Sequence, residues 1–245
     1  MRGAPPACRR ALGADVDRDT YGVIFDMDGV LADTAPQHFQ SWLAIEPHLG
    51  VRVSYDDFRL AFGRPNHEGI RILLHRQVTP EEVKEIDRLK EAAFREIARE
   101  SLKPLPGVVR LIKELDAGGF RLAVGSSGPR ENIEMVLRTL GAAAYFGAVV
   151  SGWDVTRGKP DPEVFLKAAA GISVDPHCCL VFEDVPVGIE AAHAAGMKCI
   201  AVTTTRPAED LRSADRVVES LDEVTAADVA TMLGMCSAQP RPPRP

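Results

Sequence analysis

A short apolar run that ends in two aspartates narrows the possible folds of this 245-residue chain more than any other stretch. Residues 21–25 read Tyr-Gly-Val-Ile-Phe, and Asp26, Met27, Asp28 and Gly29 follow. A run this short, bulky and branched suits a buried strand better than a helix. A central parallel strand delivers whatever follows it to the sheet edge where open α/β proteins place their ligands. Two carboxylates delivered there repel each other unless a cation lies between them or one holds a proton. A hard divalent cation such as Mg²⁺ answers that need with oxygen ligands. Gly29 lets the backbone turn away and brings its N–H close to a bound group. The stretch therefore reads as a metal and phosphate site at a strand tip.

Beyond it, residues 35–104 read as helical. Thr34 followed by Gln37 resembles a capping box, and Phe39, Trp42 and Leu43 supply an apolar face. Ser54 can cap a short helix through 60, and 63–66 reads as a loop. Thr79-Pro80-Glu81-Glu82 is a strong helix start, and that helix should run to about 100, before Pro104 and Pro106. Lys90 falls in the middle of its apolar stripe of Val83, Ile86, Phe94 and Ile97. Such a lysine either snorkels outward or faces an anion across a cleft.

From 107 onward helices and strands alternate. Strands are expected over 121–125, 147–151, 179–182, 198–202 and near 216–218, with helices over 107–117, 130–140, 161–170, 186–195 and 222–233. The order predicts a parallel α/β sheet with right-handed crossovers and a helical insert after the first strand. On this reading 20–34 and 105–236 form the core and 35–104 a cap. Residues 1–19 and 237–245, rich in Pro, Arg and small residues, read as unstructured.

Composition narrows function by exclusion. A net charge of -6 argues against nucleic acid as the main partner. No apolar run approaches membrane-spanning length, and the first 20 residues lack the apolar segment of a signal peptide. Asp15, Asp17 and Asp19 weaken a transit-peptide reading. The five cysteines (8, 178, 179, 199 and 236) form no C-x-x-C pair and are odd in number. They fit a reduced, cytoplasmic setting, with Cys178 and Cys179 as core packing.

Chemistry in such a fold gathers where strands end together, and four expected tips carry suitable groups. Asp26 and Asp28 end the first strand. Ser126 and Ser127 end the second, before a Gly-Pro turn that opens a helix able to bind an anion. Lys159 follows the third, in Gly-Lys-Pro-Asp-Pro. Glu183 and Asp184 end the fourth. Each alone has an ordinary reading as a turn, a helix start, an exposed loop lysine or a helix-dipole partner. All four at successive strand ends are much harder to explain that way.

These motifs resemble those of the haloacid dehalogenase (HAD) superfamily, in its phosphatase and β-phosphoglucomutase-like branch. The matching stretches are Phe25-Asp-Met-Asp-Gly-Val-Leu-Ala-Asp-Thr34, Val124-Gly-Ser-Ser-Gly, Gly158-Lys-Pro-Asp-Pro and Phe182-Glu-Asp with Gly188-Ile189 and Ala194-Ala-Gly-Met197. The resemblance spans about 21–235 and implies a Rossmann-like core with a helical cap after the first strand. It implies that Asp26 is a nucleophile forming an aspartyl-phosphate and that Asp28 is the general acid and then base. It also implies that Asp26, the Asp28 carbonyl and Asp184 hold Mg²⁺ with Glu183 in support, and that Ser126 and Lys159 grip phosphate oxygens. Asp28 would need a pKa raised by burial under a closed cap.

The cap decides the substrate. His38 and Lys90 resemble the mutase hinge and cap lysine. Asn66 stands where the mutase carries an arginine for a second phosphate, Arg64 lies two positions early, and Val185 replaces a common serine. The first expectation is a Mg²⁺-dependent phosphatase, monomeric and acting on a small phosphorylated metabolite, most simply a sugar phosphate. The second is a β-phosphoglucomutase that moves phosphate within one sugar, and the third is a non-catalytic binding module.

Overall fold

A computed structural model describes residues 20–64 and 66–235 of the chain, except for the Asn66 and His67 side chains. The expectations for 1–19 and 237–245 lie outside them. Strand β1 (Gly22–Phe25) opens the fold and is buried along its whole length. Helices α1 (Ala35–Leu49), α2 (Tyr55–Ala61), α3 (Asn66–Leu74) and α4 (Pro80–Ser101) follow before α5 (Val108–Ala117). Then come β2 (Arg121–Gly125), α6 (Arg130–Thr139), β3 (Phe146–Val150), α7 (Glu163–Gly171), β4 (Cys179–Glu183), α8 (Pro186–Ala194), β5 (Lys198–Val202), β6 (Arg216–Val218) and α9 (Ala226–Met232).

The six strands form one parallel sheet in the order β3-β2-β1-β4-β5-β6. Chain order runs outward from β1 in both directions, so the gap between β1 and β4 is the switch point where such sheets bind ligands. Register keeps the tips level, with Phe25 beside both Val124 and Phe182. Phe25 and Phe182 stack at 4.9 Å, and the Asp26 N–H donates to the Phe182 carbonyl at 3.0 Å. Helices cover both faces, so β1 and β4 read as unbroken apolar runs instead of alternating.

Buried apolar side chains form two clusters. One fills the sheet and its flanking helices; the other joins Trp42, Ile45, Phe58, Ile70, Leu73 and Ile86 within α1–α4. Helix α4 serves both, because Phe94 and Ala98 near its end belong to the sheet cluster. The chain leaves and re-enters the core at one place, where Ala32 bridges Pro104 and the Leu105 N–H donates to Leu31. Thr79 and Glu82 form the expected capping box, and Ser54 caps α2.

Two local expectations are corrected. Thr34 begins α1 without a side-chain cap bond, because its hydroxyl is drawn to Asp28 instead. The helix expected over 222–233 is split, because Thr225 forms a new capping box with Asp228 after a 3₁₀ turn at Leu221–Glu223. Cys178, Cys179 and Cys199 are all buried in the sheet cluster, in keeping with core packing.

Candidate active site

Four loops meet over the switch point. Asp26, Ser126, Lys159, Glu183 and Asp184 are all at most 5% exposed, and Lys159 lies at their centre. Its ammonium donates to Asp26 Oδ1 at 2.6 Å, across 133 residues of sequence, and to Glu183 Oε1. Its charge also lies 4.9 Å from the Phe165 ring. The other Glu183 oxygen accepts from the N–H groups of Asp184 and Val185 at 2.9 and 3.2 Å. A side chain at position 188 would overlap the Glu183 carboxylate, which explains a glycine on the first turn of α8. Gly29, at φ +76°, lies against the Asp184 carboxylate in the same way.

Asp26, Glu183 and Asp184 have ligand oxygens within 4.8 Å of one another, as a metal site would need. Burial, opposed by Lys159 and reinforced by Glu183 and Asp28, pushes the Asp26 carboxyl up to about 7. Burial and the charges of Glu183 and Asp26 likewise push Asp184 well above the ordinary range. Although burial works against it, Asp26 and Glu183 hold the Lys159 ammonium above its usual pKa. One lysine among three buried carboxylates leaves negative charge in excess, and an all-oxygen donor set suits a hard cation. The residues therefore fit Mg²⁺.

Asp28 has a different environment. Thr34 Oγ1 donates to its Oδ1 at 2.5 Å, and His38 Nε2 lies 3.1 Å from the same oxygen. Lys90 Nζ lies 2.7 Å from His38 Nδ1. An ammonium only donates, so Nδ1 accepts and Nε2 carries the hydrogen that goes to Asp28. His38 stacks on Phe94 with ring centres 3.9 Å apart. Asp28 Oδ1 is thus fully engaged, while Oδ2 faces the Gly128 turn. Burial works to raise this carboxyl, but His38, Thr34 and Lys90 together hold it below the ordinary aspartate range. The sequence-based expectation of a raised value is corrected: charge and hydrogen bonding outweigh desolvation here.

Lys90 is 3% exposed, so it does not snorkel. It lies over the Trp42 and Phe94 rings at 5.6 and 5.5 Å and donates to Glu91 at 2.7 Å. Asp28, His38, Lys90, Phe62, Arg64 and Ser127 line a cavity of about 50 Å³ beneath the helical layer. A second cavity, of about 370 Å³, reaches Ser126 and Lys159 from the side of Val83, Lys84 and Trp153.

Other expected residues are placed differently. Ser126 Oγ accepts from the Gly128 N–H at 3.1 Å, shaping the turn. Ser127 Oγ reaches across to the Gly63 carbonyl at 3.3 Å. The Arg64 guanidinium, on the wall of the smaller cavity, donates to the Leu60 carbonyl at 3.3 Å and lies 3.5 Å from Glu68. The backbone of Asn66 starts α3, and its side chain lies outside the described residues. Sequence reasoning missed Thr34 and Thr205. Thr205 Oγ1 donates to Asp184 Oδ2 at 2.5 Å from just beyond β5, a fifth strand tip whose position was the available signal.

Comparison with known proteins agrees with this geometry. The family model described as haloacid dehalogenase-like hydrolase matches residues 23–202. A validoxylamine A 7'-phosphate phosphatase from Streptomyces hygroscopicus subsp. limoneus is 34% identical, over 82% of this chain and 94% of that protein. A β-phosphoglucomutase from Bacillus subtilis (strain 168) is 32% identical, over 83% of this chain and 91% of that one. A crystal structure of β-phosphoglucomutase from Clostridium difficile superposes with a TM-score of 0.79, covering 88% of this chain and 97% of that one. At 24% identity that likeness speaks to the fold alone.

Proposed function

The chain belongs to the haloacid dehalogenase-like hydrolase family, and from that premise we propose a Mg²⁺-dependent phosphatase for a small sugar phosphate, with the helices over 35–104 as its lid. The observation that carries the reading is the unequal treatment of two aspartates on one strand tip. Asp26 is buried against Lys159 beside the acidic pair, whereas Asp28 hangs from His38 and Thr34 by one oxygen.

Asp26, Asp184 and the Asp28 backbone carbonyl would hold Mg²⁺, with Glu183 in support. When bound, the ion neutralises charge on phosphate oxygens and offsets their repulsion by carboxylates. Lys159 lies between Asp26 and Glu183, placed to add its charge to a phosphate oxygen. The Ser126–Gly128 turn and the first amides of α6 supply neutral donors for the others. Asp26 is the nucleophile, which divides a very slow hydrolysis into two easier steps. Asp28 protonates the leaving alcohol through Oδ2 and later takes a proton from water. An arriving phosphate dianion brings negative charge next to Asp28 and favours its protonated form.

The mutase is the second reading, supported by the His38–Lys90 pair below the lid. Against it, Asn66 stands where the resemblance places the mutase's arginine, and the Arg64 guanidinium lies beside the Leu60 carbonyl and Glu68. A phosphate-release screen over sugar phosphates, phosphoglycolate and nucleotides, with and without Mg²⁺, tests the assignment. Release that depends on Mg²⁺ supports it. Conversion of β-glucose 1-phosphate to glucose 6-phosphate, given a bisphosphate primer and releasing no phosphate, would replace it with the mutase.

A further inference from the structure

Glu91, next to Lys90 on α4, and Asn132 on α6 have no part in the chemistry above, yet they are only 4% and 0% exposed. They meet across the seam between the helical layer and the sheet, where Asn132 Nδ2 donates to Glu91 Oε2 at 2.5 Å. Glu91 Oε1 accepts from Lys90 Nζ at 2.7 Å. One turn further along α4, Arg95 Nη1 donates to the Asn132 amide oxygen at 3.1 Å. A carboxylate only accepts and a guanidinium only donates, so one amide orientation satisfies both partners. A continuous chain of polar contacts thus runs from Asp28 through His38, Lys90 and Glu91 to Asn132.

An ammonium as deeply buried as that of Lys90 needs a paired counter-charge. Successive helix residues project about 100° apart, so Glu91 meets Lys90 only with its carboxylate drawn to one side. Asn132 holds the far oxygen of that carboxylate. Helix α6, which carries Asn132, starts directly after the Ser126–Gly128 turn. One contact therefore ties the helix bearing Lys90 to the element that shapes the phosphate cradle.

We propose that Glu91 and Asn132 are positioning residues for proton transfer at Asp28, holding Lys90 against His38 and thereby His38 against the carboxylate. The proposal rests on the phosphatase reading, because it concerns the proton that the leaving alcohol receives. Asp28 Oδ2–H breaks as the alkoxide oxygen gains the proton, and Asp28 is left as carboxylate. An alkoxide leaving group needs that proton; para-nitrophenolate, a far better leaving group, does not.

The test compares kcat/KM for para-nitrophenyl phosphate and for the sugar phosphate that is fastest in the screen above, both with Mg²⁺. Glu91→Gln and Asn132→Asp should each lower the value for the sugar ester by about 100-fold. For the aryl ester each should lower it by less than about threefold. In the double variant the amide and the carboxylate exchange places, a donor again faces an acceptor, Arg95 keeps an oxygen, and the counter-charge to Lys90 stays in the same buried row, one hydrogen bond further along. The sugar-ester value should then recover to within about fivefold of wild type. Equal losses on both esters, no loss in the single variants, or a double variant as poor as the worse single would each overturn the proposal. A merely structural role predicts the first of these, with a lowered thermal midpoint. Wild-type turnover of neither ester would instead remove the phosphatase reading itself.

Discussion

Asp26 and Asp28 stand two residues apart, yet their surroundings move their carboxyls in opposite directions. Asp26 lies among carboxylates with one lysine to answer them; Asp28 accepts from two donors in a row backed by Lys90. The difference follows from these neighbours, since the two side chains are identical. Asp26→Asn should lower turnover by at least about 10³-fold and abolish the covalent phosphoenzyme, as checked by acid-quench labelling. Gly29 is the second residue on which the site turns. At φ +76° and in contact with Asp184, it has room for neither a Cβ nor an ordinary L-residue conformation. Gly29→Ala should cost at least about 1 kcal/mol of stability in urea unfolding and remove Mg²⁺-dependent turnover. Aspartates and glycine at 26–29 were legible as a site in the sequence. The Asp28 shift was not, because its sign depends on Thr34 and His38 at the start of α1 and on Lys90 arriving from α4.

Helix α4 shows how an element can be half legible. Its start was readable because Thr79, Pro80 and Glu82 act within one turn, and Thr79→Ala should cost about 1 kcal/mol, read from the urea midpoint. Its middle was not readable, because a lysine on an apolar stripe has the same sequence signature whether it snorkels or is buried. The loop bearing Lys159 is held by another element. Glu163 on α7 accepts from Lys167 and from the hydroxyl and N–H of Thr156, and these bonds hold its carboxyl down to about 2. A folded pKa below the unfolded one gives stability that is complete above about 4.3 and fades as pH falls towards 2. Glu163→Gln should therefore unfold at lower urea than wild type at pH 7, and the gap should close between pH 4.5 and pH 2.

For the whole molecule, the proposed metal site would make folding and metal binding interdependent. Asp26, Glu183 and Asp184 share the one Lys159, so a divalent cation relieves repulsion that the folded chain otherwise retains. Mg²⁺ at about 100 times its Kd should add about 2.7 kcal/mol, seen as a raised thermal midpoint that EDTA reverses. Asp184→Asn should abolish the metal-dependent part of that rise. The helical layer has its own apolar cluster, and the two chain segments that connect it to the core pair at Ala32 and Pro104, a layout that suits hinged motion.

The sequence by itself determined the parallel sheet, the insertion point of the helical layer and the chemical groups at four strand tips. Each depends on local periodicity, caps and turns, which act over a few residues. Tertiary structure alone decided which of those groups touch. It placed Lys159 against Asp26 and Glu183, drew Thr34 away from its cap, and brought Lys90 to His38 across 52 residues. It also ran the polar row on to Glu91 and Asn132. The physical reason is that burial and Coulomb interaction depend on distance in space, and distant parts of the chain meet only once the core has packed.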